Sequence, residues 1–152
     1  MLFRSVIMKI DYSSFQKAIS QLEKSLSFLN SAMSKENADL REQFRAATIQ
    51  AFEYTYELGI KSLKRQLEQI LATPVELEKM TFMNFIRTAY EAGLVDNVPV
   101  YKIFRDMRNI SSHTYNEDKA EEILSVIETF LNEMRFIIKE IQLRNESDET
   151  ND

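Results

Sequence analysis

The longest helical pattern in the chain covers residues 40–71 and reads LREQFRAATIQAFEYTYELGIKSLKRQLEQIL. Apolar residues recur in it at intervals of three and four, which places them along one face of an α-helix. Gly59 lies inside the pattern, where glycine costs roughly 1 kcal/mol relative to alanine, so we expect a neighbouring element to pack closely there. The stretch predicts one long amphipathic helix, with a core stripe of Ile49, Phe52, Tyr56, Ile60, Leu63, Leu67 and Ile70.

Helical spacing continues on both sides of this helix. Upstream, a first helix is predicted with Ser13 and Gln16 as its capping box. The polar segment 34–39 predicts a turn that ends in Asp39, a candidate N-cap. Downstream, a third helix is predicted to start at Thr73-Pro74, with Thr81 as a candidate interruption, and to stop at Gly93.

A short helix is predicted after Pro99, followed by a final helix. Thr114 with Glu117, or Asn116 alone, is the candidate cap of that final helix, whose apolar face extends to Ile141. Two glycines and two prolines in 152 residues argue against a loop-rich or all-β fold. We therefore predict an all-α helical bundle.

Length and composition indicate a single domain. We expect an N-terminal extension over residues 1–11, the bundle over 12–144 and a disordered acidic tail over 145–152, with Met8 as an alternative start to Met1. The chain has no cysteine and no apolar run of about 20 residues, which indicates a cytoplasmic protein outside the membrane. The net charge of −5 counts against broad nucleic-acid binding but allows a small basic cleft.

The densest chemistry lies in the run RNISSHTY, from Arg108 to Tyr115, which contains the only histidine. Histidine transfers protons near neutral pH, and the arginine fork suits phosphate. On a continuous helix Arg108 and His113 point about 140° apart, so they converge only at a helix break or across a symmetric dimer. The alternative is that His113 caps a helix and Arg108 pairs with a surface acid. The sequence alone leaves these two interpretations evenly balanced.

A second group lies on one face of the long helix, where Glu53, Glu57 and Lys61 are spaced four apart. The simplest interpretation is a solvated charged stripe. If this face lines the cleft, Glu53 or Glu57 orients His113 and Lys61 contacts a phosphate. We expect no metal and no cofactor, because the chain has one histidine, no cysteine and no glycine-rich phosphate loop.

The run RNISSHTY resembles the R-x-x-x-x-H-x-Y signature of HEPN-domain proteins. Residues 49–58 followed by Lys61 resemble the second-helix motif of one HEPN branch, the nucleotidyltransferase substrate-binding proteins, which are relatives of the HepT toxins. The resemblance covers roughly residues 12–142. It implies an up-and-down four-helix bundle with an additional short helix, which forms a homodimer. It also implies a two-gene, toxin–antitoxin-like module with a minimal nucleotidyltransferase of the MntA type.

The same resemblance implies roles for the residues of the run. Arg108 and His113 match the catalytic pair of a metal-independent endoribonuclease, and Tyr115 matches a tyrosine that the partner enzyme adenylylates. Asn109 and Ser112, together with the Glu53–Lys61 face, are assigned to the supporting cleft. The alternatives are a non-catalytic subunit that binds a nucleotide or nucleic acid for the transferase, and a dimer that only scaffolds its partner.

Overall fold

The computed structural model describes residues 11–113 and 115–150, the side chains of 148–150 excepted. Every regular element in this part of the chain is a helix, so the all-α prediction is confirmed. The α-helices are α1 (Ser13–Leu29), α2 (Ala32–Glu36), α3 (Ala38–Ile70), α4 (Phe82–Glu91), α5 (Val100–Ile110), α6 (Glu117–Leu124) and α7 (Ile127–Thr150), with 3₁₀ helices at Pro74–Lys79 and Ser111–His113.

Helix α3 is the centre of the bundle, where it packs along α1 and contacts α5, α6 and α7. Three buried aromatic rings join α3, α5 and α7. Phe130 of α7 meets Phe52 of α3 edge-on at 4.7 Å between ring centroids, and it meets Phe104 of α5 at 5.1 Å. Such edge-to-face pairs stabilise beyond the burial of their apolar area, so they fix α5 against the rest of the bundle.

Gly59 marks the closest approach between helices in the middle of α3. A Cβ atom added there would lie 2.7 Å from Sδ of Met134 and 3.4 Å from the ring of Phe15. The close packing predicted at Gly59 is therefore confirmed, and it brings α1 and α7 against the same turn of α3.

The N-terminal caps differ from the predicted ones. The predicted box of Ser13 and Gln16 is wrong, because the carboxylate of Asp11 accepts from the Ser13 amide at 3.0 Å and the Ser13 hydroxyl at 2.7 Å. At α3 the cap is Asn37 rather than Asp39, since Oδ1 of Asn37 accepts from the Asp39 amide at 3.0 Å. The segment predicted as a turn overlaps the short helix α2.

The predicted third helix is divided at Thr81. Residues after Pro74 form a 3₁₀ helix, and α4 begins afresh where Oγ1 of Thr81 accepts from the Asn84 amide at 3.2 Å. Gly93 follows α4 with φ of 80°, the left-handed conformation that glycine takes without strain, so the predicted stop is confirmed.

The C-terminal part contains the predicted break after α5. Asn116 caps α6 through a hydrogen bond from the Lys119 amide at 3.3 Å, while Thr114 lies outside the described residues. A turn at Ser125 separates α6 from α7, and α7 continues to Thr150, into the segment assigned to the tail. Residues 1–10 of the predicted extension also lie outside the described part. No described helix is long and apolar enough to cross a membrane.

Candidate functional site

Arg108 occupies the last turn of α5 and faces two carboxylates on α3. Its Nη1 lies 3.0 Å from Oε2 of Glu53, and its Nη2 lies 2.5 Å from Oε1 of Glu57. Glu53 and Glu57 are four residues apart and share one face of α3, so a single planar guanidinium spans both. The contact ties the end of α5 to the middle of the long helix.

Ser111 completes the surroundings of Arg108. Nη1 of Arg108 donates to the Ser111 hydroxyl at 3.2 Å, and that hydroxyl donates to the Arg108 carbonyl at 2.7 Å, where α5 ends. The hydrogen bond to Glu57 and the charge of Glu53 raise the pKa of Arg108 above its ordinary value. The site therefore presents a permanent cation in a fixed orientation, and any anion that binds it competes with two carboxylates.

The helix break that would let Arg108 and His113 converge is present. Helix α5 stops at Ile110, and the chain continues as the short 3₁₀ helix that ends at His113. His113 is exposed, and its ring meets that of Tyr115 edge-on, at 6.1 Å between centroids. Within the described residues no hydrogen bond or ion pair holds the imidazole, so it does not act as a helix cap there.

The supporting residues fall into two groups. Glu53 and Glu57 line the site, but they contact Arg108 rather than His113. Asn109, Ser112 and Lys61 are exposed, and their side chains make no hydrogen bond or ion pair to any part of the chain that the structure describes. Glu53 and Glu57 therefore contact Arg108 as well as solvent, and Arg108 pairs with surface acids as one of the two interpretations expected. The catalytic and supporting roles stay predictions.

Arg105 and Tyr56 lie near Arg108, although sequence reasoning assigned Arg105 no role in the site and placed Tyr56 in the core stripe. The guanidinium of Arg105 stacks over the ring of Phe82, with 4.9 Å from its central carbon to the ring centroid. Burial raises the pKa of Tyr56 to about 12, although the charges of Arg105 and Arg108 act in the opposite direction. The spacing of Arg105 and Arg108, three residues apart on α5, was the available signal.

A cluster of ion pairs fixes α6, the helix that follows the site. Arg41 of α3 contacts Glu121 at 2.8 Å, and Arg45 contacts both Glu117 and Glu121 at 3.3 Å. The hydrogen bond from Arg41 lowers the pKa of Glu121. These contacts hold the start of α6 against α3 and so fix one end of the segment that carries His113 and Tyr115.

No group of three or more histidine, aspartate or glutamate side chains within residues 11–113 and 115–147 is arranged to hold a metal ion. The chemistry that the site itself offers is a fixed guanidinium, an exposed imidazole and an exposed phenol. A guanidinium stabilises charge on a phosphoryl group, and an imidazole moves a proton at neutral pH. This combination suits a phosphate ester.

Comparison with known protein families assigns the chain to one of them. The model of the family described as "Nucleotidyltransferase substrate binding protein like" matches residues 10–143. The chain belongs to this family. The match spans α1 to most of α7, so the family includes the elements that carry Arg108, His113 and the two glutamates.

Two relatives from Haemophilus influenzae agree with this assignment. A protein named "Probable ribonuclease HepT" is 38% identical over 103 residues, which cover 68% of this chain and 70% of that protein. A solved structure, described as the fold of a substrate binding domain of a nucleotidyltransferase, superposes with a TM-score of 0.82 at 29% identity. The superposition covers 87% of this chain and 99% of that one. The predicted kinship with HepT-like proteins is confirmed.

Proposed function

We propose that this protein is a metal-independent endoribonuclease and the HEPN-type partner of a minimal nucleotidyltransferase in a two-gene, toxin–antitoxin-like module. The name of the ribonuclease relative and the description of the family support the two halves of this proposal. We further infer a cytoplasmic homodimer whose site lies near the dimer interface, as the resemblance to HEPN proteins implies.

The observation that carries the proposal is the break after Ile110, which lets α5 hold Arg108 in place and leaves His113 exposed. In the reaction, the ribose 2′-oxygen attacks phosphorus, the bond to the 5′-oxygen breaks, and a 2′,3′-cyclic phosphate forms. Either His113 takes the 2′-hydroxyl proton and water protonates the departing 5′-oxygen, or His113 protonates the 5′-oxygen and water takes the 2′-hydroxyl proton. Arg108 stabilises the charge that develops on the phosphoryl oxygens. Asn109 and Ser112, which are exposed and adjacent in sequence to Arg108 and His113, are the proposed positioning donors.

Tyr115 is the proposed site of regulation by the transferase. Its side chain is 87% exposed and its ring touches that of His113. Transfer of AMP from ATP to the phenol oxygen releases pyrophosphate and places a bulky anion beside the imidazole. We therefore expect a modified Tyr115 to block access of RNA to His113. Incubation with the transferase and ATP gives an AMP-sized mass gain that is absent in Tyr115→Phe.

The ribonuclease activity is tested with the full chain and single-stranded RNA in EDTA. We expect cleavage that leaves 2′,3′-cyclic phosphate ends and that disappears in His113→Ala. The matched control is Asn30→Ala, which removes an exposed polar side chain at the far end of α1. Cleavage that survives in His113→Ala, or that requires a divalent metal, contradicts the proposal.

A second function is favoured by one observation, the engagement of Arg108 by Glu53 and Glu57. A site whose cation is already paired suits reversible binding of a nucleotide that is presented to the transferase. This alternative predicts nucleotide binding that Arg108→Ala or Lys61→Ala weakens, with no RNA turnover under any condition. A purified protein that binds neither nucleotides nor RNA would instead be a scaffold.

A further inference from the structure

An apolar hollow lies between α3 and the start of α4, outside the site described above. It has a volume of about 280 Å³, and its wall includes Ile60, Met80, Phe82 and Phe85. Lys64 and Glu78 on its rim form an exposed ion pair with 4.0 Å between Nζ and Oε1. Phe82 and Met80 are half-buried, so each presents part of an aromatic or thioether surface to an incoming ligand.

The hollow and Arg108 lie along one continuous strip of surface. Arg105 stacks on Phe82 at the edge of the hollow and precedes Arg108 by three residues on α5, a spacing at which side chains are neighbours. On α3, Tyr56 precedes Ile60 by one helical turn, and its phenol lies close enough to Arg105 and Arg108 to feel both charges. Arg105 and Tyr56 therefore connect the surroundings of Arg108 with those of the hollow.

The cations along this strip are available for an anion. Arg105 and Lys61 have no carboxylate partner anywhere in residues 11–113 and 115–147, whereas Arg108 has two. The chain as a whole has a net charge of −5, so these two cations stand out from their surroundings. Together with the apolar hollow, they complement a ligand that joins a phosphate to a flat apolar group.

A nucleotide is the ligand that matches both properties. Bases stack on aromatic rings and on arginine planes, and single-stranded RNA is bound by such stacking together with phosphate contacts. We propose that the hollow is a base-binding subsite for the nucleotide next to the phosphodiester held at Arg108, with Arg105 and Lys61 contacting its phosphate. This inference rests on the proposed function, because that function supplies RNA as the substrate.

Binding in the hollow is tested first without any cleavage. The full chain carries ¹³C-methyl methionine and is titrated with AMP, then with ribose 5-phosphate, which lacks the base. We expect AMP to move the Met80 methyl signal, assigned through Met80→Leu, while the exposed Met33 stays in place as an internal control. A Met80 signal that AMP leaves unmoved, or that ribose 5-phosphate moves equally, overturns the proposal.

The second test uses Phe82→Leu, which keeps apolar volume but removes the ring. The probe is a single-stranded RNA with 2′-O-methyl groups, which the proposed reaction cannot cleave. We expect affinity to fall about five- to a hundredfold, the usual worth of one stacked base, and to fall no further when the same position of the RNA is abasic. The matched control is Phe28→Leu, an exposed ring on α1 that stacks on Phe44 and leaves affinity unchanged.

The outcomes separate this inference from the ribonuclease activity. Cleavage that needs His113 while Phe82→Leu binds RNA normally overturns the subsite alone. A Met80 shift with AMP in a protein that never cleaves RNA keeps the subsite and overturns the ribonuclease. Loss of transferase binding in Phe82→Leu, with AMP and RNA binding unchanged, assigns the hollow to a protein contact and overturns the proposal.

Discussion

Arg108 and His113 are five residues apart, yet their surroundings differ in kind. Arg108 is held by two carboxylates of α3 and by the Ser111 hydroxyl. His113 is exposed, and in the described part of the chain its imidazole contacts the ring of Tyr115. The cation is oriented before any ligand arrives, whereas the imidazole is free to adjust to one.

This difference indicates a division of labour. A preorganised guanidinium stabilises developing charge without reorganising during the reaction. An exposed imidazole and an exposed phenol are accessible both to substrate and to a modifying enzyme. We infer that helix packing sets the electrostatics of the site, while the segment after Ile110 sets its reactivity and its regulation.

The largest effect is expected from removal of the imidazole. His113→Ala should lower kcat for RNA cleavage by about 10²- to 10⁴-fold, the usual contribution of general acid–base catalysis. Because His113 is exposed, the free energy of unfolding should change by less than about 0.5 kcal/mol. Cleavage kinetics and urea unfolding of the same preparation measure both. A folded variant with wild-type kcat would remove His113 from the chemistry.

Replacement of Arg108 should have the next largest effect on RNA cleavage. Arg108→Ala is expected to lower kcat by about 10²- to 10³-fold, in line with the loss of one preorganised donor. Arg108→Lys should recover only part of it, because an ammonium lacks the planar fork that spans Glu53 and Glu57. Arg135→Ala is the matched control, since Arg135 makes a similar exposed pair with Glu23 at 2.8 Å. Full activity in Arg108→Lys would contradict the importance of the fork.

Removing one of the two carboxylate charges that hold Arg108 should strengthen RNA binding, whereas the two substitutions above weaken cleavage. Glu57→Gln removes one charge that competes with a phosphate for Arg108, while its amide oxygen still accepts a hydrogen bond. We expect about fivefold tighter binding of 2′-O-methyl RNA at low salt, the size of one charge–charge contact in water. Fluorescence anisotropy measures it, with Glu23→Gln as the control at a distant pair. Weaker binding would mean that Glu57 positions Arg108 more than it competes.

The smallest effect is expected at Glu133 of α7, a buried carboxylate whose ionisation makes the stability of the protein depend on pH. Glu133 is buried, it accepts from the Asn97 amide at 3.3 Å, and desolvation raises its pKa. A raised folded-state pKa means that this group contributes its full stability below the unfolded value of 4.5 and loses it as pH rises through the folded value. Glu133→Gln should therefore unfold at slightly higher urea than wild type at pH 7, with no gain at low pH. Lower stability of the variant at pH 7 would contradict this.

The sequence predicts some of these features and misses others for physical reasons. Helical periodicity and the position of Gly93 are local properties, so the all-α fold and the stop after α4 follow from spacing. Helix geometry alone left a break or a symmetric dimer as the two ways for Arg108 and His113 to converge, and the local signal for a break was the candidate cap at Asn116. The contact between Arg108 and Glu57 joins residues 51 positions apart, and no spacing rule pairs α3 with α5.

Caps were less predictable because several short polar side chains compete at each helix start. Asp11 takes the role expected of Gln16, and Asn37 takes that of Asp39. The hollow beside Arg105 could not be predicted either, since its wall is assembled from α3, the 3₁₀ helix, the residue Met80 after it and α4. Tertiary packing creates it, and no single segment contains it.

The most direct test of the account uses the single histidine of the chain as a probe. Because one histidine is present, protein free of added histidines gives one set of imidazole ring signals in NMR, and these report on His113 alone. We expect 2′-O-methyl RNA to shift them in the wild-type protein, and we expect Arg108→Ala to require far more RNA for the same shift. Ring signals that stay in place when RNA saturates the protein would contradict the claim that Arg108 and His113 form one site.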